Sequence, residues 1–339
     1  MNPIQKQRRP RISHPAPSAD PQAMSRRGFL GSATGAVGAA AIGLAGTLEG
    51  AEPQEAAGKV AKGIRVGMLT VPVMKEPFDQ VLDMAKRCGI AALEVVAIPG
   101  SKHIDPMTFG PAEAETVKKM LAERGLEISS LTNYNNPAAP GKTEEYQNAV
   151  KKMIDAAGLL GVPTVCLMGG IPPDKMNKIA MIKNLVPRIF RPILDSAKEK
   201  GIKVAFENWF MTCLQGLDTF DCLFETIPDE HFGLNYDPSH LVHQGCDYMV
   251  PVAKFSSRIF HTHAKDCLID AQRRSYVGVL GTGWWRYVIP GYGEIKWAEY
   301  INQLRDIGYK GVLSIEHEDR TFAPEEGFRH GAQYLNQFC

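Results

Sequence analysis

The chain has almost no excess of either charge: 38 Lys and Arg stand against 37 Asp and Glu, for a net +1. That balance argues against a broad nucleic-acid face or a polybasic membrane patch. None of the seven cysteines has a partner at CxxC spacing, and their number is odd. They are spread along the chain instead of framed for bridges, so buried free thiols are the better reading. The turn after the first apolar run, "LTVPVMKEPF", lacks the GxGxxG phosphate turn that an open dinucleotide-binding sheet would need. What is present is ordinary globular composition, with 44% hydrophobic and 22% charged residues.

Residues 1–51 are of a different kind. A polar, Pro-rich start leads into "SRRGFLGSATGAVGAAAIGLAG", Ser25 to Gly46. A twin Arg before a weakly hydrophobic Ala/Gly stretch reads as a twin-arginine export signal, which implies a periplasmic protein. The stretch is short and Gly-rich for a stable membrane span. No membrane span is expected in the mature protein.

From Gly63 onward a rhythm repeats: a β-branched or apolar run, a polar loop, then an amphipathic stretch ending at Gly. Strands are expected at 64–69, 92–96, 127–131, 164–168, 203–206, 232–236, 259–263 and 312–315. The helical stretches between them stop at Gly89, Gly125, Gly161, Gly201 and Gly308. Strand–helix alternation implies parallel pairing with right-handed crossovers, and eight such units fit an α/β fold, a single closed (β/α)8 barrel over 63–339. The longest interruption runs from Cys267 to about Glu294 and is rich in aromatics. Loops of that length are usually functional.

Catalytic groups of such a barrel sit at the C-terminal strand ends. The fifth strand ends at Glu207, the sixth at Asp237 and His240, the seventh at His263 and the eighth at Glu316. Four consecutive apolar runs thus end in a carboxylate or an imidazole, groups rarely buried without a partner. A divalent cation gives them a common reason to converge. Two Glu, one Asp and one His suit Mn2+, Mg2+, Co2+ or Zn2+. In "IFHTHAKD", alternation sends His261 and His263 to the same face. His263 lies nearer the rim and is the expected ligand; His261, one layer deeper, is expected in the core or behind the ligand.

"FEN", "YDPSH", "HTHAKD", "PGYGEIKW" and "SIEHED", in this order, resemble the sugar phosphate isomerase/epimerase family, which has the xylose isomerase-like barrel. The resemblance spans roughly residues 63–337. It implies one divalent metal ion held by Glu207, Asp237, His263 and Glu316, with Glu207 and Glu316 acting as paired acid and base on opposite sides of the substrate. Proton removal next to a carbonyl needs a base and a positive charge to stabilise the enediolate, and this set supplies both. Return of the proton on the other face gives epimerisation, return at the neighbouring carbon gives isomerisation, and loss of a leaving group gives elimination.

The remaining residues have weaker signals. His240 follows a turn; family position suggests contact with substrate or with the metal-bound oxygen. Glu94 could be an exposed strand residue, or line the barrel and bind a sugar hydroxyl as the resemblance suggests. One of Lys265 and Asp266 is expected to touch substrate or neutralise the cluster. Trp285 and Arg286 either pack the long loop or hold a sugar ring. The expectation is a metal-dependent sugar isomerase or epimerase acting on an unphosphorylated carbohydrate, since no phosphate-cradling loop is evident. A lyase or hydratase acting on 3-keto-sugars or 3-keto-glycosides is the close variant. Two other classes share the barrel. An apurinic endonuclease would need extra His at early strand ends, where only His103 stands. A non-catalytic sugar-binding protein would not need an acid/base pair. Relatives form dimers or tetramers, so a homo-oligomer is the associated expectation.

Overall fold

Eight short apolar runs become eight parallel strands that close on themselves. In the computed structural model, residues 63–339 are described. The export reading of residues 1–51 lies outside them. The barrel strands are β1 (Arg65–Leu69), β2 (Ala92–Val96), β3 (Glu127–Asn133), β4 (Thr164–Met168), β5 (Lys203–Glu207), β6 (Phe232–Tyr236) and β7 (Ile259–Ala264). Two further strands, β8 (Asp266–Ile269) and β9 (Trp285–Val288), stand outside the barrel, and β10 (Val312–Ile315) closes it. Around the barrel the order is β1-β10-β7-β6-β5-β4-β3-β2.

The strands are buried on both faces, so they read as continuous apolar runs instead of alternating ones. Helices cover the outside. In the helix Phe78–Arg87 the buried residues are Phe78, Val81, Leu82 and Ala85, the spacing of one helical face. The 18-residue helix Thr143–Leu160 stops at Gly161, whose φ of 72° is the left-handed turn expected there. Among the described residues, no helix is long and apolar enough to cross a membrane.

Two differences from the sequence expectation matter for the site. Strand β5 runs one residue further and includes Glu207, which fixes that carboxylate to sheet geometry instead of a loop. The long segment after β7 is not an irregular loop. It is an arm in which β8 and β9 pair antiparallel, with Cys267 opposite Tyr287 and Ile269 opposite Trp285. A short helix, Ala271–Val277, lies at its turn.

Register is regular around most of the barrel. Of the eight barrel pairings, two shift: β2–β3 between Leu93 and Glu94, and β6–β7 between Leu234 and Asn235. Such bulges re-aim side chains.

Candidate metal centre and active site

The strand ends bring the expected residues together. Oxygens of Glu207, Asp237 and Glu316 and a nitrogen of His240 all lie within 4.8 Å of one another. His263 Nδ1 joins them, 3.3 Å from Glu207 Oε1, 3.1 Å from Glu316 Oε2 and 3.8 Å from Asp237 Oδ2. All five residues are buried. Asp237 is gripped through its backbone: the Asn208 amide donates to its carbonyl at 2.7 Å and accepts from its N–H at 2.8 Å. Its Oδ1 accepts from Ser239 N at 2.8 Å, which leaves Oδ2 turned to the cluster.

Lys265 enters the same space, almost fully buried. Its Nζ is 2.5 Å from Glu316 Oε2, 3.2 Å from Asp237 Oδ2 and 3.2 Å from His240 Nε2. Glu318 adds a further carboxylate 3.4 Å from the same ammonium, so carboxylates outnumber Lys265 here. The electrostatics follow. Burial works to raise Glu207, but His263, His240 and Lys265 outweigh it and hold that carboxyl well below the usual range. Asp237 is likewise held low against burial, by Lys265, His240 and His263. Glu316 goes the other way: burial, helped by nearby Glu207, pushes it up despite Lys265. The two glutamates thus have environments that drive them apart, as an acid/base pair requires.

Two imidazoles compete for a metal-ligand role. His240 has both nitrogens engaged: Nδ1 with Tyr287 OH at 2.5 Å, Nε2 with Lys265 and with Glu207 Oε1 at 3.3 Å. His263 has Nε2 engaged with Glu94 Oε2 at 3.1 Å. Its Nδ1 is buried and has no hydrogen-bond partner, and neither has Asp237 Oδ2. Lys265 approaches that oxygen only as an ion pair. Two unpartnered buried atoms facing the same carboxylates are what a cation site leaves behind. The donor set of three carboxylates and His263 Nδ1 therefore fits a divalent ion.

Glu94, expected to meet a sugar hydroxyl, sits fully buried below the cluster. Its Oε1 accepts from Tyr134 OH at 2.7 Å and its Oε2 faces His263. Burial works to raise it; His263 and His261 outweigh this and hold it at about 2. His261 is behind the cluster, as expected, with Nδ1 on Asn235 Oδ1 and Nε2 on Ser129 Oγ, both at 3.0 Å. Asp266 faces away from the cluster. Its carboxylate accepts from Cys267 N, Gly291 N, Ile295 N and Trp297 Nε1 at 2.8 to 3.1 Å. It therefore pins the base of the arm, and neither oxygen is left for a ligand. Asp266→Asn presents an amide to some of those donors. A loss of about 1 to 2 kcal/mol of stability is expected, read by urea unfolding; an unchanged midpoint would contradict the pinning role.

The arm covers the cluster. Tyr287 lies over Lys265, whose Nζ is 4.4 Å from the ring centroid. Trp285 stacks on His243 at 3.9 Å and meets the edge of Phe210 at 5.8 Å. Arg286 reaches instead to Asp319 at 2.9 Å. Trp285, Arg286 and Tyr287 line an open cleft of about 710 Å³ together with Glu318 and Phe322. Sequence reasoning missed Tyr287, His243 and Phe210. Alternation from Trp285 was the available signal for Tyr287, had that stretch been read as a strand. His103 is remote from this chemistry. Its nitrogens are taken by Thr70 Oγ1 and the Glu76 carbonyl.

The C-terminal mouth of this closed parallel barrel thus holds buried carboxylates and imidazoles that could hold a metal ion, within a (β/α)8 fold. Residues 82–338 match the family described as xylose isomerase-like TIM barrels, and the chain belongs to it. It is similar to the uncharacterized protein YfiH of Bacillus subtilis (strain 168), 28% identical over 297 residues, which cover 77% of this chain and 95% of that one. It is also similar to an inosose dehydratase of Geobacillus thermodenitrificans (strain NG80-2), 24% identical over 282 residues, 77% of this chain and 90% of the other. Two solved structures share the fold. The IolI protein with a bound zinc atom aligns with TM-score 0.64 and 16% identity over 81% of this chain and 99% of that one. The 3-keto-D-glucoside 4-epimerase YcjR of E. coli aligns with TM-score 0.61 and 16% identity over the same shares.

Proposed function

We propose that the protein is a divalent-metal-dependent isomerase or epimerase that moves a proton next to the carbonyl of an unphosphorylated sugar or keto-sugar, through an enediolate. The observation that carries this reading is the buried pair Glu207 and Glu316, which lie 3.3 and 3.1 Å from the unpartnered His263 Nδ1, beside the unpartnered Asp237 Oδ2. Glu207, Asp237, His263 and Glu316 would hold the ion. When bound, it supplies positive charge beside the substrate carbonyl. Glu207 and Glu316 take and return the proton from opposite sides. His240, fixed by Tyr287, and the Lys265 ammonium orient substrate oxygens. Trp285 and Arg286 face the part of the substrate that extends into the cleft. The metal is one of Mn2+, Mg2+, Co2+ and Zn2+.

A lyase reading at the same site has its own support. Several relatives are dehydratases, and Lys265 stands beside Glu316 as a proton donor for a departing hydroxyl. We propose further that residues 1–51 are a twin-arginine signal and that the protein acts in the periplasm.

The test is incubation of the metal-loaded chain in D2O with ketoses and 3-keto-glycosides. Deuterium at the carbon next to the carbonyl is the expected result, read by NMR. Enone absorbance would favour the lyase reading. Neither signal from any substrate, with metal bound, would overturn the proton-transfer reading.

A further inference from the structure

Glu94 is a fully buried carboxylate, and a buried charge of this kind is costly unless something fixes it. The hydrogens around it can be counted. Tyr134 gives its hydroxyl proton to Oε1 at 2.7 Å. Asn235 Nδ2 has two protons; one goes to Tyr134 OH at 2.8 Å, and the other is placed between Glu94 Oε1 at 3.4 Å and His263 Nε2 at 2.9 Å. Asn235 Oδ1 accepts from His261 Nδ1 at 3.0 Å, and His261 Nε2 lies 3.0 Å from Ser129 Oγ, which also contacts the Leu93 carbonyl. The nearest atom to Oε2 is His263 Nε2 at 3.1 Å, with His261 Nδ1 further off at 3.7 Å; Tyr134 OH lies 3.2 Å from the same Nε2. A carboxylate oxygen accepts, so a hydrogen on Nε2 suits Oε2, and with a cation among Glu207, Asp237 and Glu316 the lone pair falls to Nδ1, which faces all three. The two register shifts of the barrel fall at this level. One sets Glu94 opposite Ser130, the other Asn235 opposite His261. The backbone is irregular where this network needs its side chains re-aimed.

We propose that Glu94, held by Tyr134 and Asn235, is a positioning residue that fixes the tautomer and ring orientation of His263, presenting Nδ1 to the metal. The inference rests on the metal-ligand reading of His263 above. It gives Glu94 a task that does not involve substrate. Partners of this kind change metal affinity by about 10- to 100-fold when removed.

The test uses the full chain, freed of metal and titrated with Zn2+ against a competing chelator. Glu94→Gln, which keeps the volume and can still accept through its carbonyl, is expected to weaken Zn2+ about tenfold. Glu94→Ala is expected to weaken it towards a hundredfold. A second readout is the imidazole N–H resonance of His263 in the Zn2+-loaded protein. It is expected far downfield in the wild type and displaced in Glu94→Gln. Wild-type affinity with an unmoved resonance in Glu94→Gln would overturn the positioning role and leave the metal reading intact. Failure of the wild type itself to bind Zn2+ would overturn the metal reading and this inference with it. Should Glu94→Ala fail to fold, Glu94→Gln alone decides.

Discussion

Glu316→Gln is expected to lower turnover by about 10²- to 10⁴-fold with little change in secondary structure or melting temperature. The substitution keeps the shape and one oxygen toward the cluster, so the ion can still be held. What is lost is the group that accepts and returns a proton. Glu316 is suited to that exchange because burial and Glu207 raise its carboxyl while Lys265 remains 2.5 Å away. Its relative exposure of 9% is slightly more than the 6% of Glu207. The check is deuterium wash-in at matched metal content, with circular dichroism on the same sample. Wild-type exchange in the variant would end the paired-glutamate mechanism.

The second expectation separates the two imidazoles. His263→Ala should weaken metal binding by about a hundredfold or more, beyond the range assigned to supporting partners. Metal content by elemental analysis would then fall from about one ion per chain to a small fraction. His240→Ala should keep the ion and lose turnover, because both of its nitrogens are already committed to Tyr287, Lys265 and Glu207. The opposite pattern, with metal retained in His263→Ala and lost in His240→Ala, would make His240 the ligand and return His263 to the buried network below.

Much of this was legible in the sequence. Strand periodicity and the glycines after helices located the barrel, because both are local signals. Charged residues after apolar runs located Glu207, Asp237 and Glu316, since only a shared site makes such placements tolerable. The arm was less legible. Pairing of Asp266–Ile269 with Trp285–Val288 is non-local, and each strand is only four residues long, too short for alternation to stand out. The choice between Lys265 and Asp266 stayed open in the sequence for a related reason. Apart from Cys267 N, the partners of Asp266 lie 25 to 31 residues further along, so little near it in the sequence shows that its oxygens are already taken. For Glu94 the sequence left burial open, and its partner could not be foreseen, because His263 is 169 positions away.

Asp266 opens the arm, and Gly291, Ile295 and Trp297 end it. One carboxylate therefore ties both ends together over the mouth of the barrel, like the knot of a drawstring. Residues added or removed beyond that knot lengthen or shorten the cover without pulling on β7 or β10, and lengthening a closed loop costs little. The arm is thus a replaceable part. Relatives could accommodate substrates of very different size by exchanging the segment between residues 268 and 288 while leaving the cluster beneath it unchanged.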